Sequence, residues 1–188
     1  MPRGDSSRSQ VAQCALALFS RHGVAGTSLQ MIADELGVTK AALYYHFRTK
    51  DDIVREVLAP AFDGFQELLV EVAAVDEQSR ARAVVLGLAK RAVQHRQLYS
   101  VVLGDVSAGA LRQESPAHVG MFHELRSILA GPGADPVALV RAAVFLSGLV
   151  APAVDPDVAA LDDAALERAI VDTGLRLFSP PPAAASQA

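Results

Sequence analysis

Apolar residues recur along this chain at helical spacing, and almost nowhere with the sustained alternation of a strand. From Ser9 to His22, Val11, Ala15, Leu16 and Phe19 fall on one helical face, and Gly23 ends the run as a C-terminal glycine does. In "TSLQMIADELG", Thr27 stands three residues before Gln30, a capping-box spacing, and Leu29, Ile32, Ala33 and Leu36 make the apolar side. Gly37 stops that helix. Thr39 caps a short one whose inward residues are expected to be Val38, Ala42, Leu43 and Phe47. Thr49 caps a fourth, with Asp51 and Asp52 well placed in its first turn.

The same spacing continues. Residues 50–74 read as a long connecting helix with Phe62, Phe65, Leu68, Leu69 and Val72 inward, and 79–95 as another through Val84, Val85, Leu88 and Val93. "LYSVVLGDV" is short and apolar, and "SAGALRQES" is loop-like. Residues 116–130 resume through Val119, Phe122, Leu125 and Leu129, and "GPGADP" breaks the chain. The run 137–154 is apolar on nearly all sides and approaches membrane-spanning length. Arg141 inside it, Pro152 near its end and the lack of a companion span favour a helix buried between neighbours. Ala142, Ala143, Ser147 and Gly148 would let another backbone approach closely. A last helix, 163–178, carries Leu166, Ile170, Thr173 and Leu177 on a stripe beside Ala165 and Ala169. The two could build a four-helix subunit interface. The tail, 180–188, reads as disordered.

Composition narrows the class. At 51% hydrophobic residues the chain should fold, and the single Cys14 permits no intramolecular disulfide, so a reducing, cytoplasmic setting is expected. The polar start "MPRGDSSRSQ" does not look like a signal peptide. A formal charge of −4 conceals an asymmetry: residues 1–50 hold six basic and three acidic groups, and the remainder eleven and eighteen. A small basic module on an acidic body is the implication. His118, His123 and Glu124 make a poor metal site, because the two histidines stand about 140° apart on one helix. There is no glycine-rich phosphate loop and no nucleophile–base spacing. No cofactor, no metal and no catalysis are expected.

What remains to explain is "GVTKAALYYHFRTKDDI". With Leu43 and Phe47 inward, Thr39, Lys40, Tyr44 and His46 are left outside, and Tyr45 partly so. Such a helix offers hydroxyl, ammonium and ring N–H donors to phosphates and base edges. Lys50 opposes the dipole of the helix it begins, whereas a phosphate there would meet both the ammonium and free backbone N–H groups.

Residues 10–58, through "ALFSRHGVAGT" and "TSLQMIADELGVTKAALYYHFRTKDDIV", resemble the DNA-binding region of TetR-family transcriptional regulators. Ala41 stands where the family commonly has glycine. The resemblance implies an all-α homodimer with a helix-turn-helix unit, 1–48, and a C-terminal helical ligand-binding and dimerisation bundle, 49–179. Carried over residue by residue, it implies base-reading roles for Gln30, Thr39, Lys40, Ala41 and Tyr44. It implies phosphate contacts for Thr27, Ser28, Tyr45, His46 and Lys50. Thr27, Thr39 and Gln30 also have the helix-capping readings given above. Arg3 and Arg8 read as a minor-groove arm or a disordered terminus. His95, Tyr99, Met121, Phe122, Arg126 and Phe145 are the candidates to line an effector pocket, with core packing as the plain alternative.

The expected function is a repressor released from double-stranded operator DNA by a small lipophilic effector, with no membrane involved. An all-helical enzyme or binding protein with a structural N-terminal piece is the competing reading. A regulator without an effector is a third.

Overall fold

The computed structural model describes residues 3–104, 116–149, 151–153 and 155–178. Every regular element among them is a helix, as expected. The loop-like "SAGALRQES" and the tail lie outside the described residues. Helix α1 (Arg3–Gly26) begins before the expected Ser9, so Arg8 belongs to a helix and not to a loose arm. Gly23 adopts φ 71° and ψ 163° inside it, and the helical path breaks there, at the glycine the pattern marked.

Three more helices complete the N-terminal end: α2 (Leu29–Leu36), α3 (Lys40–His46) and α4 (Lys50–Ala73). Their shared core is Ala15, Leu18 and Phe19 from α1, Ile32 and Ala33 from α2, Leu43 and Phe47, and Ile53 and Val54 from α4, all buried. Val38 and Ala42, expected inside, are exposed. The reason is length. Helix α3 makes only about two turns, so a single i, i+4 row, Leu43 and Phe47, faces inward.

The body follows as α5 (Glu77–Gln94), α6 (Arg96–Gly104), α7 (Pro116–Ala130), α8 (Pro136–Gly148), a 3₁₀ turn at Ala151–Ala153, α9 (Pro156–Ala159) and α10 (Asp163–Phe178). Helix α5 is central and packs on α4, α7 and α10. Its Val84, Val85, Leu88 and Ala89 are wholly inaccessible to solvent. Arg91, also buried, donates to the carbonyls of Gly64 and Gly87 and to Glu71 Oε1 at 3.1 Å, fastening α5 to α4.

Two expectations for the body need correction. Val119 is exposed, because Met121, Leu125 and Leu129, spaced by four, form the inward row of α7. The apolar run from residue 137, rightly not read as a span, was expected to lie buried between neighbours, and one of its faces is open in the single chain. Its helix ends at Gly148, and no helix among the described residues is long and apolar enough to cross a membrane. Within α8 only Ala142 and Phe145 are buried, while Val137, Val140 and Val144 are each more than half exposed.

Close packing in the body gives a pair of opposite mutational signs. A Cβ on Gly174 would lie 2.7 Å from both Phe145 Cε2 and Val85 Cγ1, two buried side chains. Overpacking of this kind costs about 1–3 kcal/mol, more than the ~1 kcal/mol of helix propensity gained over glycine. Gly174→Ala should therefore lower the urea midpoint. A Cβ on Gly120, in the middle of α7, meets nothing within 4 Å. Gly120→Ala should raise the midpoint, by about 0.5–1 kcal/mol in free energy.

Candidate DNA-binding surface

The turn before α2 settles which residue caps it. Ser28 has extended backbone, and its Oγ accepts from the Met31 N–H at 3.2 Å. Thr27, the expected cap, is 2% exposed and its hydroxyl donates to the Gly23 carbonyl at 2.8 Å. Its side chain is committed to closing the broken end of α1, which removes it from the phosphate-contact candidates. Gln30 is no capping-box partner: its amide donates to Asp34 Oδ1 at 2.7 Å along the exposed face of α2.

Helix α3 is entered through Gly37, which takes the left-handed φ of 66° that glycine tolerates, and its cap is Thr39, accepting from the Ala42 N–H at 3.1 Å. With Leu43 and Phe47 locked inside, Lys40, Ala41, Tyr44 and Tyr45 are exposed. Tyr45, expected to be only partly exposed, is 87% exposed, against 45% for Tyr44. Its ring meets His46 edge-on at 5.2 Å, and Lys40 Nζ stands 5.8 Å from the centre of the Tyr44 ring. One small surface thus gathers an ammonium, two phenols and an imidazole around an exposed alanine. Thr49 closes the following turn with a complete capping box: Asp52 N–H to its hydroxyl at 3.1 Å and its own N–H to Asp52 Oδ2 at 2.9 Å. These bonds, the hydroxyl's first among them, hold the Asp52 carboxyl below the usual carboxylate range.

Lys50 has a structural use that sequence spacing did not suggest. Its Nζ donates to the carbonyls of Val24 at 2.8 Å and Thr27 at 3.3 Å, across more than twenty residues of sequence. An ammonium has three donors, and these bonds use two of them.

The effector candidates divide. Tyr99 and Phe122 flank Phe65, with ring centres 6.5 Å and 5.9 Å from it, and His95 meets Tyr99 edge-on at 6.5 Å. Burial, helped by the Arg91 charge, holds the His95 imidazole below its ordinary range and so favours the neutral ring. Met121 is buried. Phe145 lies elsewhere, edge-on to Phe178 of α10 at 5.6 Å, a partner the helical pattern did not single out. Arg126 is exposed, 3.1 Å from His123 Nδ1 one turn back, and is not an inward anchor.

Residues 13–57, the stretch that builds this surface, match the sequence pattern of bacterial regulatory proteins of the tetR family. Over that segment the chain is similar to the tetR family. The transcriptional regulator AcrR of Shigella flexneri is 40% identical over 65 residues, 35% of this chain and 30% of that one. The transcriptional repressor KstR2 of Mycolicibacterium smegmatis is 28% identical over 101 residues, 53% of this chain and 49% of that one. The chain thus spans about half or less of the lengths of these relatives. The fold as a whole resembles that of Mycobacterium smegmatis AmtR, with a TM-score of 0.67 over 97% of this chain and 91% of that one at 24% identity. Sequence likeness therefore centres on the tetR-family segment, and fold likeness covers nearly everything.

The Lys50 contacts can be tested by stability alone. Lys50→Met keeps the apolar stem but strips two carbonyls at the end of α1 of their donor. The side chain is only half-buried, so a loss of about 1 kcal/mol is expected. An unchanged unfolding midpoint would show that the ammonium is not held on those carbonyls in solution.

Proposed function

We propose that this chain is a homodimeric transcriptional repressor that grips a near-palindromic operator through α2 and α3 and lets go when a small lipophilic effector binds its body. The observation that carries the reading is α3 itself. Within a tetR-family segment it is pinned by two buried side chains and turns Lys40, Ala41, Tyr44 and Tyr45 to solvent. In this reading Gln30, Thr39, Lys40, Ala41 and Tyr44 face base edges. Ser28, Tyr45, His46 and the remaining Lys50 donor meet phosphates. Residues 1–48 act as the DNA-binding unit and 49–179 as the body, working in the cytoplasm.

Dimerisation is supported by the face of α8. Val137, Val140 and Val144, at i, i+3 and i+7, form an exposed apolar stripe beside the small, exposed Ala143, Ser147 and Gly148. Ala169 and Thr173 of α10 are exposed as well. Two such helices from each subunit make a four-helix interface. A twofold dimer would set two copies of α3 about 34–36 Å apart, one turn of the duplex. The aromatic group around Phe65 is the proposed effector end. A coupling of about 1–3 kcal/mol would reduce operator affinity roughly 5- to 150-fold.

Footprinting on the DNA flanking the protein's own gene tests the reading directly. A protected, near-symmetric site is expected, and its absence there and in a randomised duplex library would remove the DNA-binding claim. Val140→Asp then tests the assembly. Residue 140 is 60% exposed in the single chain, so the subunit should keep its helix content. The dimer, which would bury two carboxylates, should dissociate in light scattering and protect no site.

A further inference from the structure

One guanidinium joins three elements behind the recognition surface. Arg8 Nε lies 3.2 Å from Glu56 Oε2, and its Nη2 donates to the same oxygen. Its Nη1 donates at 3.2 Å to the carbonyl of His46, the last residue of α3. The guanidinium carbon stands 4.6 Å from the centre of the Phe47 ring, which is buried beneath it. A single flat group on α1 therefore touches the end of α3 and the side of α4 together. The guanidinium fork makes these contacts directional, which a lysine ammonium would not.

The surroundings show that this arrangement is not primarily a source of stability. The Arg8 and Glu56 side chains are 41% and 29% exposed and rim an open cleft of about 510 Å³, shared with Arg48, Asp52, Arg55 and Ala59. Ion pairs so accessible to water contribute little free energy. What they do supply is geometry, and here it is applied at the carboxyl end of a seven-residue helix.

We propose that Arg8 is a positioning residue for the DNA interaction. Held by Glu56, it fixes the C-terminal end of α3 against α4 and so sets the direction in which Tyr44 and Tyr45 project. This rests on the reading of α3 as the recognition helix. The rival is simple: Arg8 touches a phosphate itself, and Glu56 is merely a neighbour.

Glu56 separates the two. If Arg8 were a phosphate contact, Glu56→Gln would remove a negative charge near DNA, free a cation and tighten binding. If Arg8 positions α3, the same change loosens its grip and weakens binding. The probe is the tightest duplex that the wild-type chain selects from a randomised library. Arg8→Gln and Glu56→Gln should each lower affinity on the order of tenfold, and the double variant should lose little more than either. The slope of log affinity against log salt should stay that of wild type, because no phosphate partner is lost. Helix content by circular dichroism accompanies each measurement. Should Arg8→Gln fail to fold, Glu56→Gln, which preserves shape, decides alone. Equal or tighter binding by Glu56→Gln overturns the proposal, as does a salt slope about one unit shallower in Arg8→Gln. If the wild-type chain selects no duplex, the recognition-helix reading falls and takes this one with it. If it selects one that both variants bind equally well, only the positioning role falls.

Discussion

Burial of Leu43 and Phe47 is the constraint on which the N-terminal end depends. Helix α3 has seven residues, far short of the roughly 12–15 that an isolated helix needs to be even marginal in water. It exists because its two inward side chains, 2% and 1% exposed, belong to the apolar cluster that α1, α2 and α4 also feed. Its outer face then follows from helical geometry, since whatever flanks those anchors in sequence must project away from them. Tyr44, Tyr45 and Lys40 are presented by rigid packing behind them and not by any stability of their own. A change that leaves α3 chemically intact but loosens an anchor would scatter the whole surface.

A second theme is the closing of helix ends by cations borrowed from elsewhere. The last carbonyls of a helix have no partner within it, and the dipole there favours positive charge. Lys50 serves the end of α1 through Val24, and Arg8 serves the end of α3 through His46. Arg80 serves the end of α4 through the carbonyls of Ala73 and Val75. Among the described residues Arg8 and Lys50 thus do internal work, so the positive balance of residues 1–50 overstates the segment's free surface charge. Part of that basic charge is therefore spent on holding the fold.

What the sequence made legible was local. The bounds of α4, α5 and α10, the caps Thr39 and Thr49, and the break at Gly23 depend on periodicity and on partners within four residues. What it hid was decided at a distance. Thr27 and Ser28 are both able to cap α2, and the choice falls on Ser28 because the backbone turning at Gly23 draws the Thr27 hydroxyl back to that glycine's carbonyl. The carbonyl partners of Lys50 lie 23 and 26 residues away, beyond any spacing rule. A lysine opposing the dipole of its own helix was nevertheless a usable signal, since so poor a local choice implies a partner elsewhere. For α8 the small residues Ala143, Ser147 and Gly148 marked a face for close approach, whereas which side the body covers was illegible, because a helix apolar on all sides reads alike from every direction.

Among the described residues, two connections run from the N-terminal end into the body. The first is α4, whose buried side chains from Ile53 to Val72 form one unbroken seam, so that the N-terminal core and the body share a single apolar cluster. The second is α6, which lies against α1. At its start, Arg96 donates to Asp163 Oδ1 at 2.8 Å and to the Leu161 carbonyl at 3.3 Å, at the corner leading into α10. Its neighbour Gln97 reaches Ser20 Oγ of α1 at 3.4 Å. Adjacent residues on a helix point about 100° apart, which is how one turn can address both α1 and α10. These polar contacts are exposed and individually worth little. Leu98, Tyr99 and Val101 of α6 are buried in the same apolar cluster, so both connections rest on apolar packing, and the polar contacts at the start of α6 add direction to it. The cluster around Phe65 spans both routes, since Phe65 belongs to α4 and Tyr99 to α6. A side chain or ligand that parted those two rings would have to displace one of the connections with respect to the other.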